Sequence, residues 1–190
     1  KNYLKKTNRK LFVVDNLSRG NFFAKKYSNS SILDVSNKKL NKIIKKEKIN
    51  TIIHLASFTC VRESIRKKSK YLNNYKSQIK FINNVKKTSV KYFIFSSSLS
   101  VYEKNKYKRN LSPYSMYKLK IEKYLKTISS KDFKVIILRY PNIIGSDPSG
   151  KLGEKNDFIS RIVPLFYKNL LKTKKNTLFY DYNKKIYPSR

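Results

Sequence analysis

At 190 residues, with 39% hydrophobic and 14% aromatic content, the chain can form one domain, or one domain with part of a second, and is not of the disordered class. One cysteine, Cys60, excludes a disulfide scaffold and points to a reducing compartment, the cytoplasm, and no apolar run approaches the ~20 residues of a membrane span. Lys plus Arg number 45 against 11 Asp plus Glu, a net charge of +34, yet 37 of the 45 are Lys, spread from Lys1 to Lys185, which reads as compositional drift and not as a specific nucleic-acid surface.

The elements alternate in chain order. KLFVVD (10–15) is a short β-branched and aromatic run closed by the turn-like NLSRGN, and SSILDV (30–35) is a second short strand. Leu40, Ile43 and Ile44 fall at helical spacing within 37–48. TIIHLA (51–56) is a continuous apolar run, expected as a strand covered on both faces. A long helix is expected at about 63–89, with Ile65, Leu72, Ile79, Ile82 and Val85 on its apolar face. KYFIFSSS (91–98) is a strand ending in hydroxyls, 114–129 reads as a helix after Pro113, and FKVIILRY (133–140) is the last strong strand. A loop, PNIIGSDPSGKLGE, precedes a further helix at 156–172. This β-α-β-α-β-α-β order predicts an α/β, doubly wound parallel sheet of Rossmann-like form, with ligands at the carboxyl ends of its strands.

The candidate site residues stand at those ends. Asp15, followed by Asn16, can accept both hydroxyls of an adenosine ribose or simply form an Asp-Asn turn. Asp34 ends the second strand, where it can face a ligand or cap the following helix. Ala56 and Ser57 have small side chains that let a ligand approach the backbone, or let the chain pack tightly. His54, the only histidine, has apolar neighbours and reads as a core residue. Tyr114 and Lys118 are i and i+4 on one helix face. A nearby ammonium stabilises a phenolate, so Tyr114 can act as a base, and Ser98 on the adjacent strand end can hold a substrate hydroxyl in line with it. No metal-ligand cluster is visible.

These segments, taken in order, resemble a known family. They are VVDNLSRGN, LDVSN, TIIHLAS, VRESIRKKSKYLNN, KYFIFSSSLSVY, SPYSMYKLKIEKYL, LRYPNIIGSDPSGKLGE and IVP. They resemble the extended short-chain dehydrogenase/reductases, the NAD-dependent epimerase/dehydratase family, and within it the UDP-glucose 4-epimerase branch. The resemblance implies NAD as cofactor, a UDP-hexose as substrate, and epimerisation at C4 through a 4-keto intermediate. Ser98, Tyr114 and Lys118 would then be catalytic. Asp15, Asn16, Asp34, Leu55, Ala56 and Ser57 would bind the cofactor together with Tyr114 and Lys118. Asn74, Ser98, Asn142 and Arg190 would meet the nucleotide sugar. It also allows a homodimer.

The chain departs from the pattern in places. The family's opening strand and GxxGxxG loop are not in these 190 residues, which hold only Gly20, Gly145, Gly150 and Gly153. The chain is therefore expected to be a fragment, incomplete at both ends: residues 1–140 as a truncated NAD-binding domain and 141–190 as the start of a substrate-binding region. Thr59 stands where the family often has a lysine, Glu103 where it has a glycine, and Pro141 where it has a Phe. The alternatives are another nucleotide-sugar epimerase or dehydratase of the same family, or an inactive remnant that binds polyanions non-specifically.

Overall fold

A computed structural model describes residues 10–19, 29–102 and 111–145, with positions 148, 163, 167, 179–180 and 186–187 besides. The chain divides into two compact units, Lys1–Tyr140 and Pro141–Arg190.

Among its described residues the first unit carries five strands, β1 (Val13–Asp15), β2 (Ser30–Ile32), β3 (Thr51–His54), β4 (Tyr92–Ser98) and β5 (Lys134–Tyr140). The helices among them are α1 (Lys39–Lys46), α2 (Val61–Arg66), α3 (Lys68–Lys86) and α4 (Pro113–Ile128). A single 3-10 turn, Leu99–Tyr102, follows β4. β1 pairs with β2, and β3, β4 and β5 form a second sheet in that order, every pairing parallel. Parallel strands joined through helices form the α/β, doubly wound, Rossmann-like class. Among the described residues β1 pairs only with β2 and β3 only with β4, so the two sheets are not hydrogen-bonded to each other.

Local sequence explains where the elements start. Ser112 caps α4 by accepting the amide of Ser115 at 3.2 Å, and Pro113 opens the helix at a position where its missing N–H costs nothing. Cys60 caps α2 through its sulfur, which accepts the Glu63 amide at 3.4 Å. The expected single helix at 63–89 is two helices, because Lys67 leaves helical geometry at φ −119°, ψ 56°. That break turns α2 away from the face of α3, and Ile65, assigned to the apolar face, is 54% exposed. The buried face of α3 is Tyr71, Gln78, Phe81, Ile82 and Val85.

The core lies on one face of the larger sheet. Phe93 and Phe95 point from β4 into Leu40 and Ile44 of α1, Phe81, Ile82 and Val85 of α3, and Ile121 and Leu125 of α4. The opposite face corrects a second expectation. Ile53, Ile94 and Ile136 lie side by side across β3, β4 and β5. Ile53 is 60% exposed and Ile136 44%, so TIIHLA is covered on one face only by the described residues. An apolar run shows that a strand can be covered twice, but what packs on each face is decided elsewhere in the chain.

In the second unit β6 (Phe179–Tyr180) and β7 (Ile186–Tyr187) pair antiparallel, and positions 163 and 167 are helical, within the expected 156–172 segment.

Candidate active site

Three elements position the serine, tyrosine and lysine. Ser98 ends β4, and its hydroxyl accepts the Ser100 amide at 3.2 Å as the chain turns into the 3-10 segment. Tyr114 lies in the first turn of α4 and Lys118 one turn later, both buried. The Lys118 ammonium donates to the Ser96 carbonyl at 2.8 Å, two residues before Ser98, and so ties the helix to the strand end. It also lies 4.8 Å from the centre of the Phe95 ring and 6.0 Å from that of Tyr114.

Lys118 is only 5% exposed. Burial pushes its pKa down to about 8, against the pull of the Glu122 carboxylate upward. It is thus an ammonium at neutral pH that sits close to its titration. His54 is buried as the sequence suggested, stacked among Phe81, Phe93 and Phe95 and 3.2 Å from the Gln78 side-chain oxygen. Burial holds its pKa down at about 4, the Lys118 charge acts in the same direction, and the imidazole is neutral.

The strand ends open on a cavity of about 630 Å3. Asp15, Asn16 and Asp34 line it from the β1–β2 side, and Leu55, Ala56, Ser57 and Asn74 from the β3–α3 side. Each acid is also bound into local structure, though Asp34 does not cap α1, whose N-cap Lys38 makes no side-chain cap bond. One Asp15 oxygen accepts the Leu17 amide at 2.7 Å, a local turn closed where Leu17 takes a left-handed φ of 55°. Asp34 accepts the Ser36 amide at 2.9 Å, the Ser36 hydroxyl at 2.7 Å and the Asn16 side-chain amide at 2.7 Å. Burial pushes its pKa up, these bonds outweigh that, and the carboxyl lies below its usual range. Asn16 thereby links the tips of β1 and β2.

A second, much smaller space of about 10 Å3 shares wall residues with this cavity. Ser57, Phe58 and Asn74 line both spaces, and Tyr114, Lys118 and Gln78 line the second. Gln78 donates to Asn74 at 2.7 Å and to Ser57 at 3.5 Å. The sequence reading missed Gln78, although it stands four residues beyond Asn74 on the same helix face. It also missed Glu63, which binds Arg19, Lys70 (2.9 Å) and the Tyr71 hydroxyl (3.1 Å) at the cavity rim. Phe58 carries both cations over its ring. Ser98 is not among the residues lining either space. Asn142 is exposed at the start of the second unit, and Arg190 lies outside the described residues. Among the described residues no group of three or more His, Cys, Asp or Glu could hold a metal ion, and no helix is long and apolar enough to cross a membrane.

Parallel strands, acids at their carboxyl ends and a buried tyrosine–lysine pair make up a Rossmann-like unit of the short-chain dehydrogenase type. The NAD dependent epimerase/dehydratase family matches residues 1–186, and the chain belongs to that family. The UDP-glucose 4-epimerase of Pasteurella multocida is 35% identical over 141 residues, 68% of this chain and 41% of that protein. A probable UDP-arabinose 4-epimerase of Oryza sativa subsp. japonica is 32% identical over 173 residues, 80% of this chain and 43% of that protein. The UDP-glucose 4-epimerase of Bifidobacterium longum, solved in complex with NAD+ and UDP, superposes with a TM-score of 0.76 at 26% identity, covering 90% of this chain and 57% of that one. The chain spans about two fifths of the length of the curated relatives it matches.

Proposed function

We propose that the protein carrying this chain is a cytoplasmic enzyme that interconverts UDP-glucose and UDP-galactose at C4 through a 4-keto intermediate, with NAD as cofactor. The observation that carries the reading is the cavity lined by Asp15, Asp34, Ser57 and Asn74, whose walls at Ser57 and Asn74 also border the small space lined by Tyr114 and Lys118. Its residues fit the cofactor. Carboxylates at strand ends suit ribose hydroxyls, and a buried ammonium suits the far ribose. In this reading residues 1–140 bind the cofactor, with Asn16 and Leu55–Ser57 beside it, and residues 141–190 begin the sugar-binding region, where Asn142 and Arg190 meet the nucleotide sugar. When bound, NAD supplies a reversible hydride acceptor for C4.

The chain's own residues handle the proton. Tyr114, as a phenolate, takes the proton of the 4-hydroxyl and later returns it. Lys118 stabilises that phenolate by its charge, in a site dry enough for the charge to count. Ser98 donates or accepts at the same sugar oxygen and fixes its direction. Asn74 meets the sugar nucleotide at the cavity wall. The likeness to a UDP-arabinose 4-epimerase over 80% of the chain supports a pentose as a second substrate, since the chemistry at C4 is the same.

The test is interconversion of UDP-galactose and UDP-glucose by the full-length protein. Tyr114→Phe should reduce turnover by roughly 10²–10⁴-fold, the usual size of a general acid–base contribution. Absence of C4 epimerisation on either sugar, or wild-type turnover in that variant, overturns the reading.

A further inference from the structure

Behind the serine–tyrosine–lysine group lies a buried charge that this reaction does not itself use. Glu122 follows Lys118 by one turn of α4 and is 1% exposed. One of its oxygens accepts the Ser97 hydroxyl at 2.5 Å and the Arg139 Nε at 3.0 Å. The other accepts Arg139 Nη2 at 2.5 Å and Nε at 3.2 Å. Arg139 sits on β5 directly beside Ser97 of β4 in the sheet register, and its guanidinium stacks on the Tyr102 ring at 4.5 Å. One carboxylate therefore joins α4, β4 and β5, and through Arg139 the 3-10 turn after Ser98.

A buried ion pair of this kind contributes little net stability compared with an apolar pair, because desolvation offsets the attraction. Its placement says more. The helix side chain that binds Ser97 is one turn from Lys118, and the strand hydroxyl it binds is next to Ser98. We propose that Glu122 is the positioning residue of this site: from one turn beyond Lys118 on α4, its carboxylate fixes the strand end that carries Ser98.

Among the described residues, Tyr114 and Glu122 on α4, the neutral His54 on β3, and the Ser96 carbonyl and Phe95 ring on β4 stand around Lys118, and Tyr75 and Gln78 of α3 and Tyr117 of α4 line the same small space. Around Glu122 stand Ser97, Arg139 and Lys126. Glu122 is thus the one nearby anion in this group that favours the charged form of Lys118. Burial pushes the Glu122 carboxyl up, but the bonds from Arg139 and Ser97 hold it below its usual range, so it stays charged over the whole working pH.

The role rests on the Ser98–Tyr114–Lys118 reading, yet its test needs no turnover. Lysine side-chain NMR on the protein follows Lys118, whose titration burial lowers to about 8. In Glu122→Gln, which keeps an acceptor for Arg139, the Lys118 titration should move down by about one to two pH units. In Arg139→Gln, which removes a cation, it should move up. In Ser97→Ala, which removes a hydrogen bond and no charge, it should stay in place. A general loosening of the site would move all three in one direction. An unmoved titration in Glu122→Gln, or a downward shift in Arg139→Gln or Ser97→Ala equal to it, overturns the assignment. Should Glu122→Gln not fold, Arg139→Gln and Ser97→Ala decide by the same signs. Loss of epimerase activity in Tyr114→Phe is a separate result, so the two readings can fail independently.

Discussion

The two ends of the site are built on different principles. At the Tyr114 end the charged groups and the histidine are pinned by residues from other elements: Lys118 by Ser96, Arg139 and Ser97 by Glu122, His54 by Gln78. At the Asp15 end the bonds are mostly local, with Asp15 bound to Leu17 and Asp34 to Ser36. Asn16 and Arg19 supply the longer links, and both are exposed. The difference matches what each end is asked to do. A proton transfer depends steeply on distance and on pKa, so its groups need fixed neighbours and a dry surrounding. A ribose contact needs only two acceptors at a strand tip, which a turn can hold.

The largest expected effect sharpens this contrast by removing one carboxylate from each end. Glu122→Ala leaves the buried Ser97 hydroxyl and the Arg139 guanidinium, whose side chain is 25% exposed, without their partner, and should cost about 2–3 kcal/mol of stability. Glu63→Ala breaks a pair whose cations, Arg19 and Lys70, are 44% and 36% exposed, and solvent screening should hold its cost to about 1 kcal/mol. Urea unfolding of both variants measures the pair. Equal costs would mean that the two ends are not held differently.

How far the sequence reached follows the same line. Strand positions and the tyrosine–lysine spacing were legible because β-branched runs and i, i+4 contacts are local properties. Asp15, Asp34, Ala56 and Ser57 were legible as strand-end residues, and the fold then brought them around one cavity. Glu122 was not, because a glutamate among lysines in a helix reads as a solvated residue. Only its phase, on the same face as Tyr114, Lys118, Ile121 and Leu125, hints at burial. The helix break at Lys67 was not legible either, since KKSK contains no residue that stops a helix. Nor was the open face of Ile53, which depends on what packs against the sheet and not on β3 itself.

A smaller effect tests whether the tied end is as dry as its bonds suggest. His54 titrates near 6.5 in an unfolded chain and near 4 when folded. Between those values the unfolded state binds the extra proton, so stability falls as pH falls through that window. From pH 6.5 to 4.5 the loss should be about 2 kcal/mol. The depressed carboxyls of Asp34, Glu63 and Glu122 add their own loss only below about pH 4.5. Urea midpoints across the window measure the slope, and His54→Gln, which cannot titrate, should flatten it. A slope that survives His54→Gln would place the proton uptake elsewhere, and the Tyr114 end would be wetter than described.

The smallest effect belongs to the looser end and concerns which dinucleotide it accepts. Asp15 presents its carboxylate at the position proposed for the adenosine ribose, where an added 2′-phosphate would meet like charge. At about 4 Å in water that repulsion is on the order of 1 kcal/mol, so NAD should be preferred to NADP by about five- to tenfold. Arg19, four residues on, could relieve the repulsion, but Glu63 already holds it against Phe58. Asp15→Asn should therefore reduce the preference directly. Glu63→Ala should reduce it by releasing Arg19, without touching Asp15 at all. Calorimetric titration of both dinucleotides into the wild-type protein and the two variants gives the three ratios. If Glu63→Ala leaves the ratio at its wild-type value while Asp15→Asn lowers it, Arg19 is not the residue that competes for the phosphate. If neither changes it, the ribose is not held at the β1 tip, and the cavity's acidic end has another use.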